Sequence, residues 1–155
     1  MSAAKQPPKT LIADARKLVG ACPGWNSRVA ARRINQFLDH EMAELSLSAA
    51  QLGLIAQIAA ASDDTLGALA RRAGLDQSTL SRNLRTLERE GLVEIATVKG
   101  DLRRRAVWLT EAGARRLEAA IPLWRKAQAK LAKRLSLDLA SRLAEETENM
   151  LQTVE

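Results

Sequence analysis

The chain has no tyrosine, one phenylalanine, one histidine and one cysteine in 155 residues. A single cysteine excludes an intramolecular disulfide. One cysteine and one histidine cannot build a multi-Cys or multi-His zinc site, and they leave most acid/base and nucleophilic schemes short of members. An enzyme is therefore not expected, nor a cofactor, nor a metal site. No run approaches the roughly 18 apolar residues of a membrane span, and residues 1–10 lack the apolar core and cleavage site of a signal peptide. These absences lead to the expectation of a cytoplasmic protein in a reducing compartment, with no membrane partner.

Basic charge is what the chain has in excess. Lys and Arg number 24 against 18 Asp and Glu, a net charge of +6, which suits a polyanion such as nucleic acid better than an acidic protein. A length of 155 residues with 46% hydrophobic content supports one core rather than two independent domains.

Along the chain, Pro7 and Pro8 among small and polar residues mark residues 1–9 as a flexible arm. A short helix is expected from Thr10 to about Val19, then a break over Gly20, Cys22, Pro23 and Gly24. Ala30, Ile34, Phe37, Leu38, Met42 and Leu45 recur at helical spacing and predict a long amphipathic helix over about Asn26 to Glu44. Ser48 is placed to cap a helix to about Ala60, with Leu52, Ile55, Ala56 and Ala59 as its buried face. A short helix over Leu66 to Ala73 stops at Gly74, and Asp76 caps the next, over Gln77 to Glu90. In that helix Leu80, Leu84 and Leu87 share the buried side. The runs Leu92 to Val98 and Arg103 to Leu109 predict a β-hairpin, turned through Lys99, Gly100 and Asp101. Thr110 caps a third long helix in which Leu117, Ile121, Trp124, Leu131 and Leu135 form a seam that looks for a partner helix. Pro122 lies inside it, so a kink, or two separate helices, is expected. Ser136 caps the last helix, with Ala140, Leu143, Ala144, Thr147, Met150, Leu151 and Val154 on one face.

The informative stretch is TLGALARRAGLDQSTLSRNLRTLEREGLVEI, residues 65–95. Ala70 is small where two helices cross, Gly74 permits the sharp turn, and Leu80 and Leu84 anchor the second helix on the first. This is the pattern of a helix-turn-helix, though any small helical hairpin shares the Ala and Gly spacing. The second helix offers Gln77, Ser78, Thr79, Ser81, Arg82 and Arg85 to base edges and phosphates in a major groove. The hairpin that follows strengthens the reading, because Asp101, Arg103, Arg104 and Arg105 place basic residues at a tip suited to a minor groove. Residues 71–105 hold nine basic and five acidic residues, so most of the net charge sits in this stretch.

The runs STLSRNLRTLEREGLV and DLRRRAVWLTEAG, the second carrying D-x-R followed by L-T-x-x-G, resemble the MarR family of bacterial winged helix-turn-helix regulators. The likeness covers about Asn26 to Val154. It implies a mainly α fold with a small β-hairpin wing: residues 10–47 and 111–155 form a helical dimerisation region, and residues 48–110 the winged helix-turn-helix domain. It further implies a homodimer that binds double-stranded DNA at a pseudo-palindromic operator, a repressor released by a small-molecule effector. In the family the D-x-R arginine enters the minor groove while the aspartate fixes the wing. Those roles fall on Arg103 and Asp101, with Arg104 and Arg105 open as alternatives for the arginine.

Some relatives are peroxide-sensing repressors with a reactive cysteine near the first long helix. Cys22 lies there with Trp25 and Arg28 nearby, which opens a redox or ligand site. Those sensors hold the sulfur with tyrosine hydroxyls, absent here, and the plain alternative is a small apolar residue packed in a turn. Trp25, Phe37, Trp108 and Trp124 either line an effector pocket or pack the core. Arg28, Arg32 and Arg33 form a basic face that meets an anionic ligand or solvent. His40, with no second ligand at metal spacing, fits a surface or dimer contact. An adaptor that binds proteins on a winged scaffold is the remaining alternative, and the basic, serine-rich recognition face argues against it.

Overall fold

The structure is a computed structural model that describes residues 9–61, 65–98, 100–148 and 150; the side chains of residue 98 and residues 101–104 lie outside the described set. In chain order the elements are α1 (Lys9–Ala21), α2 (Pro23–Glu41), a 3-10 turn (Ala43–Leu45), α3 (Ala49–Ala60), α4 (Leu66–Ala73), α5 (Gln77–Arg89), β1 (Val93–Val98), β2 (Asp101–Leu109), α6 (Glu111–Leu131) and α7 (Leu137–Thr147). The expected fold, mainly helical with a two-stranded hairpin, is the fold observed. Two compact units are present, Met1–Gln36 and Phe37–Glu155.

In the first unit, α1 starts at Lys9, one residue inside the expected arm; the rest of that arm, residues 1–8, lies outside the described residues. The expected break over residues 20–24 contracts to Cys22 alone. Pro23 begins α2 because the first helical position needs no backbone donor and favours the fixed φ of proline. Across the break Cys22 N donates to Leu18 O at 2.9 Å and Asn26 Nδ2 to Gly20 O at 3.1 Å. Helix α1 buries none of its residues, and Leu11, Ile12, Leu18 and Val19 stay exposed.

The second unit holds the core. Met42, Ile55, Leu69, Leu80, Leu84, Leu87 and Val93 are its largest fully buried side chains, each favouring the folded state by about 1.5–3 kcal/mol through loss of apolar surface. Helix α2 ends at Glu41 rather than Glu44, because the chain tightens into the 3-10 turn and then takes a left-handed conformation at Ser46 (φ 52°). A capping box starts α3: Gln51 N donates to Ser48 Oγ at 3.1 Å, and Ser48 N to Gln51 Oε1 at 2.9 Å. The buried face of α3 is Leu52, Leu54, Ile55 and Ile58, not the expected Leu52, Ile55, Ala56 and Ala59. Packed by α4, α6 and β2, α3 buries its large side chains and leaves the two alanines exposed.

Strands β1 and β2 pair antiparallel, Val93 opposite Leu109 through Thr97 opposite Arg105; the register then shifts and Val98 meets Asp101. Asp101 is thus a strand residue and not part of the turn; of the other two expected turn residues, Gly100 stands at φ 94° and Lys99 lies outside the described residues. At the far end of the hairpin, Thr110 N donates to Leu92 O at 3.1 Å and Thr110 Oγ1 to Gly91 O at 2.6 Å, while Gly113 N donates back to Thr110 Oγ1 at 3.0 Å. Gly113 lies flat against the chain before β1: a Cβ there would stand 2.0 Å from Leu92 O.

Helix α6 runs as one helix through Pro122, so of the two expectations, a kink or two separate helices, the second does not hold. Pro122 and Glu118, whose carbonyl loses its helical donor, both face solvent, so water can serve that carbonyl. The buried residues of α6 are Gly113, Ala120, Ala127 and Leu131. Leu117 is half-buried, whereas Ile121 and Trp124 of the expected seam remain 37% and 41% exposed. Small residues let α6 lie close to this chain's core, and the larger ones beside them turn outward. Helix α7 buries nothing, and the hydroxyl of Ser136, at its N-cap position, makes no capping bond. Leu151 and Val154 of its expected face lie outside the described residues.

Because Leu92 O belongs to the backbone, it cannot swing away from an added methyl group. Gly113→Ala is expected to lower stability by about 2 kcal/mol or more, as overpacking against main chain does, read as a lower urea midpoint at unchanged slope.

Candidate nucleic-acid interface

Helix α4 ends at Gly74, whose left-handed φ of 61° lets Leu75 N reach back to Ala70 O at 3.0 Å. Two residues later Asp76 opens α5. The tight connection holds the helices across each other, with Leu69 and Ala70 buried on α4 and Leu80, Leu84 and Leu87 on α5. Burying that stripe decides what α5 turns outward: Gln77, Ser78, Arg82 and Arg85 are exposed, and Thr79 and Ser81 partly so.

The first turn of α5 is organised by one carboxylate. Asp76 Oδ1 accepts from Ser78 Oγ at 2.6 Å and Thr79 N at 2.8 Å, and Oδ2 accepts from Thr79 Oγ1 at 2.7 Å. These bonds, that from the Ser78 hydroxyl first, hold the Asp76 carboxyl well below the usual carboxylate range. Farther along, Arg82 Nη2 donates to Thr79 Oγ1 and Arg89 Nη2 to Thr86 Oγ1, both at 3.4 Å, while Thr86 Oγ1 donates to Arg82 O at 3.3 Å. Arg82, Arg85, Thr86, Glu88 and Arg89 line a shallow groove here. Thr86 and Arg89 were not singled out from sequence; the signal for them is the helical spacing Arg82, Arg85, Arg89.

Of the four wing residues, Asp101, Arg103 and Arg104 have backbone in β2 and side chains outside the described set. Arg105 is described: it lines a second groove with Thr65, Leu66, Gly67, Gln77, Leu80 and Ser81. An isolated bridge between Thr65 and Ala106 ties β2 to the start of α4 there.

Cys22, Trp25 and Arg28 come together in a shallow groove of the first unit with Leu18, Val19 and Gly24. Arg32 and Arg33 are exposed on α2. The four aromatics separate. Phe37 lies under the Arg134 guanidinium, 5.4 Å from ring centroid to Cζ. Trp108 stands on the outer face of the hairpin, its indole N–H donating to Glu94 Oε2 at 3.0 Å. Of these four, Trp124 borders the apolar cavity of about 580 Å³ between the end of α2, α3 and α6, where Leu38, Met42, Leu52, Ala56 and Ile121 also contribute and Arg125 is the one charged lining residue among the described residues. His40 is exposed, and among the described residues no group of three His, Cys, Asp or Glu could hold a metal. Among the same residues no helix is long and apolar enough to cross a membrane.

Residues 45–104 match the model of the MarR family. The chain is similar to the M. tuberculosis transcriptional regulator MosR in complex with DNA, at 30% identity over 83% of this chain and 94% of that one, with a TM-score of 0.74. It is also similar to a mutant of E. coli MarR complexed with operator DNA, at 25% identity over 86% and 97%, TM-score 0.71. The S. aureus MepR–DNA complex shares the fold at 22% identity over 85% and 98%, TM-score 0.66. No curated protein matches the chain.

A carboxyl held low in the folded protein contributes stability above its unfolded pKa and loses it as pH falls through the folded value. Asp76→Ala is expected to lower Tm at neutral pH. The gap to the unchanged protein should stay full down to about pH 4, the ordinary Asp value, and narrow on further acidification in calorimetric scans.

Proposed function

Because the chain belongs to the MarR family, whose members regulate transcription and are not enzymes, we propose that it binds operator DNA as a homodimer and represses transcription until a small-molecule effector releases it. The observation that carries this is the division of α5: one leucine stripe buried, and Gln77, Ser78, Arg82 and Arg85 exposed on the rest of the helix. Thirteen residues make a helix of about 20 Å, enough to lie across a major groove about 12 Å wide. The amide and hydroxyl side chains of its first turn suit base edges, and the arginines suit guanine or phosphate. Arg103 or its neighbour Arg104 is assigned to the minor groove from the wing.

Unpartnered apolar surface supports the dimer. Leu11, Ile12, Leu18 and Val19 on α1, and Leu139 and Leu143 on α7, are exposed on helices that bury nothing in this chain. A second copy that covers such faces would fix the distance between the two recognition helices. The cavity beside Trp124 supports the effector: at about 580 Å³ it is of ligand size and almost wholly apolar. An effector regulates only by binding better to a spacing of the recognition helices that does not fit DNA.

Selection from a random duplex pool at about 150 mM salt, where nonspecific attraction is partly screened, is expected to return a two-fold symmetric consensus with half-sites about 34 Å apart. Arg82→Ala and Arg85→Ala should each weaken binding to it by about 1–3 kcal/mol, the range for a base or phosphate contact. A pool with no enriched sequence would overturn the operator-binding reading. A compound that releases the duplex by entering the cavity should lose its effect in Ala56→Trp, which fills that space; continued release would exclude the cavity as the effector site.

A further inference from the structure

Between the start of α4, the first turns of α5 and β2 lies a groove to which the recognition helix and wing tip give no role of its own. It encloses about 420 Å³ between the first residues of α4 (Thr65, Leu66, Gly67), Gln77 and Ser81 on α5, and Arg105 on β2. Arg105 arrives there through the two-residue period of the strand. The register sets Val107 opposite Ile95 and Arg105 opposite Thr97, so Leu109, Val107 and Arg105 share the hairpin face that packs on the core. Val107 is buried at 2% exposure and Arg105, one step beyond, is exposed. The strand therefore aims its last regularly paired side chain inward over α5, away from the outer face where Trp108 and Glu94 stand.

Among the described residues the Arg105 side chain makes no ion pair and no hydrogen bond. Its described neighbours in the groove are the Gln77 amide, the Thr65 and Ser81 hydroxyls, Gly67 and the side chains of Leu66 and Leu80. A Cβ added at Gly67 would meet nothing within 4 Å, so the space in front of α4 is open. A planar cation beside amide and hydroxyl groups, with no carboxylate among the described lining residues, has the chemistry of a phosphodiester site.

We infer that this groove seats a backbone phosphate of the DNA strand bordering the major groove that α5 enters, with Arg105 as its positioning residue and Gly67 keeping the seat open. The inference rests on the DNA-binding reading and extends it. Arg105 anchors the backbone beside the recognition helix and does not read the minor groove with the wing tip. Such a contact sets how α5 is turned in its groove without carrying sequence information itself.

The test uses the full chain and the duplex recovered by selection, with affinity measured by fluorescence anisotropy from about 50 to about 300 mM NaCl. Arg105→Gln is expected to bind about 10-fold more weakly with the same consensus. Its slope of log affinity against log salt should shrink by about 0.9 per protomer, the signature of one lost phosphate contact. Gly67→Glu, which puts a carboxylate into the seat at a helix start that tolerates one, should weaken binding at least as much with no loss of Tm. Replacing phosphates singly with neutral methylphosphonates should reveal one position per half-site that weakens the unchanged protein about 10-fold and Arg105→Gln no further. Unchanged affinity and slope in Arg105→Gln, or a changed base preference at constant slope, would overturn the phosphate seat while leaving the DNA-binding reading intact. Failure of the unchanged protein to select any duplex would overturn that reading, and this inference with it.

Discussion

The Leu92 carbonyl is the point on which the packing of α5, the hairpin and α6 depends. It accepts Thr110 N at 3.1 Å and lies where a Cβ on Gly113 would stand. The end of α5, the start of β1, the end of β2 and the start of α6 all meet within these few residues. Leu92 N in turn donates to Leu87 O at 2.9 Å, and Thr110 Oγ1 reaches Gly91 O. Because every contact at the junction runs through main chain or a short hydroxyl, little in it can rotate. The direction in which the hairpin leaves α5 is therefore set by backbone geometry.

That rigidity matters because α5 serves the core and the outer surface at once. Leu80, Leu84 and Leu87 give it a buried stripe on one side; a shift of the helix by one residue would bury a polar side chain and expose a leucine. The polar side is ordered in turn by local bonds, with Asp76 gathering Ser78 and Thr79, Thr79 taking Arg82, and Thr86 taking Arg89. Part of the rotamer freedom of these side chains is thus already lost before any partner arrives, which lowers the entropic cost of binding.

Most of the lobe was legible in the sequence because its punctuation is local. Gly74 and Asp76 mark the turn between α4 and α5 unambiguously, and Ser48 and Thr110 cap α3 and α6 as their positions imply. Other features depend on what lies across the chain. Nothing in the sequence says that Ala120 and Ala127, rather than Ile121 and Trp124, face the core, since that follows from how closely α6 approaches its neighbours. The burial of Leu54 and Ile58 needs α3 to be packed on more than one side. That Pro122 and Glu118 both lie on the exposed side of α6 follows from the packing of the helix and not from its sequence alone. Helix α5 was read from one contiguous run, whereas the groove holding Arg105 joins Gly67, Gln77 and a strand whose register shifts after Thr97. Such a meeting is a property of pairing, not of any local pattern.

The carboxylate at the foot of α5 also has a directional effect. Ser78 and Thr79 each spend their hydroxyl hydrogen on Asp76, and a hydroxyl has only one to give. What Ser78 turns outward is therefore lone pairs. Toward anything that approaches this turn it acts as an acceptor, able to meet an N–H or amino group and unable to satisfy a carbonyl. The hydrogen-bonding polarity at this end of the helix is thus chosen by a residue that need not touch the partner at all.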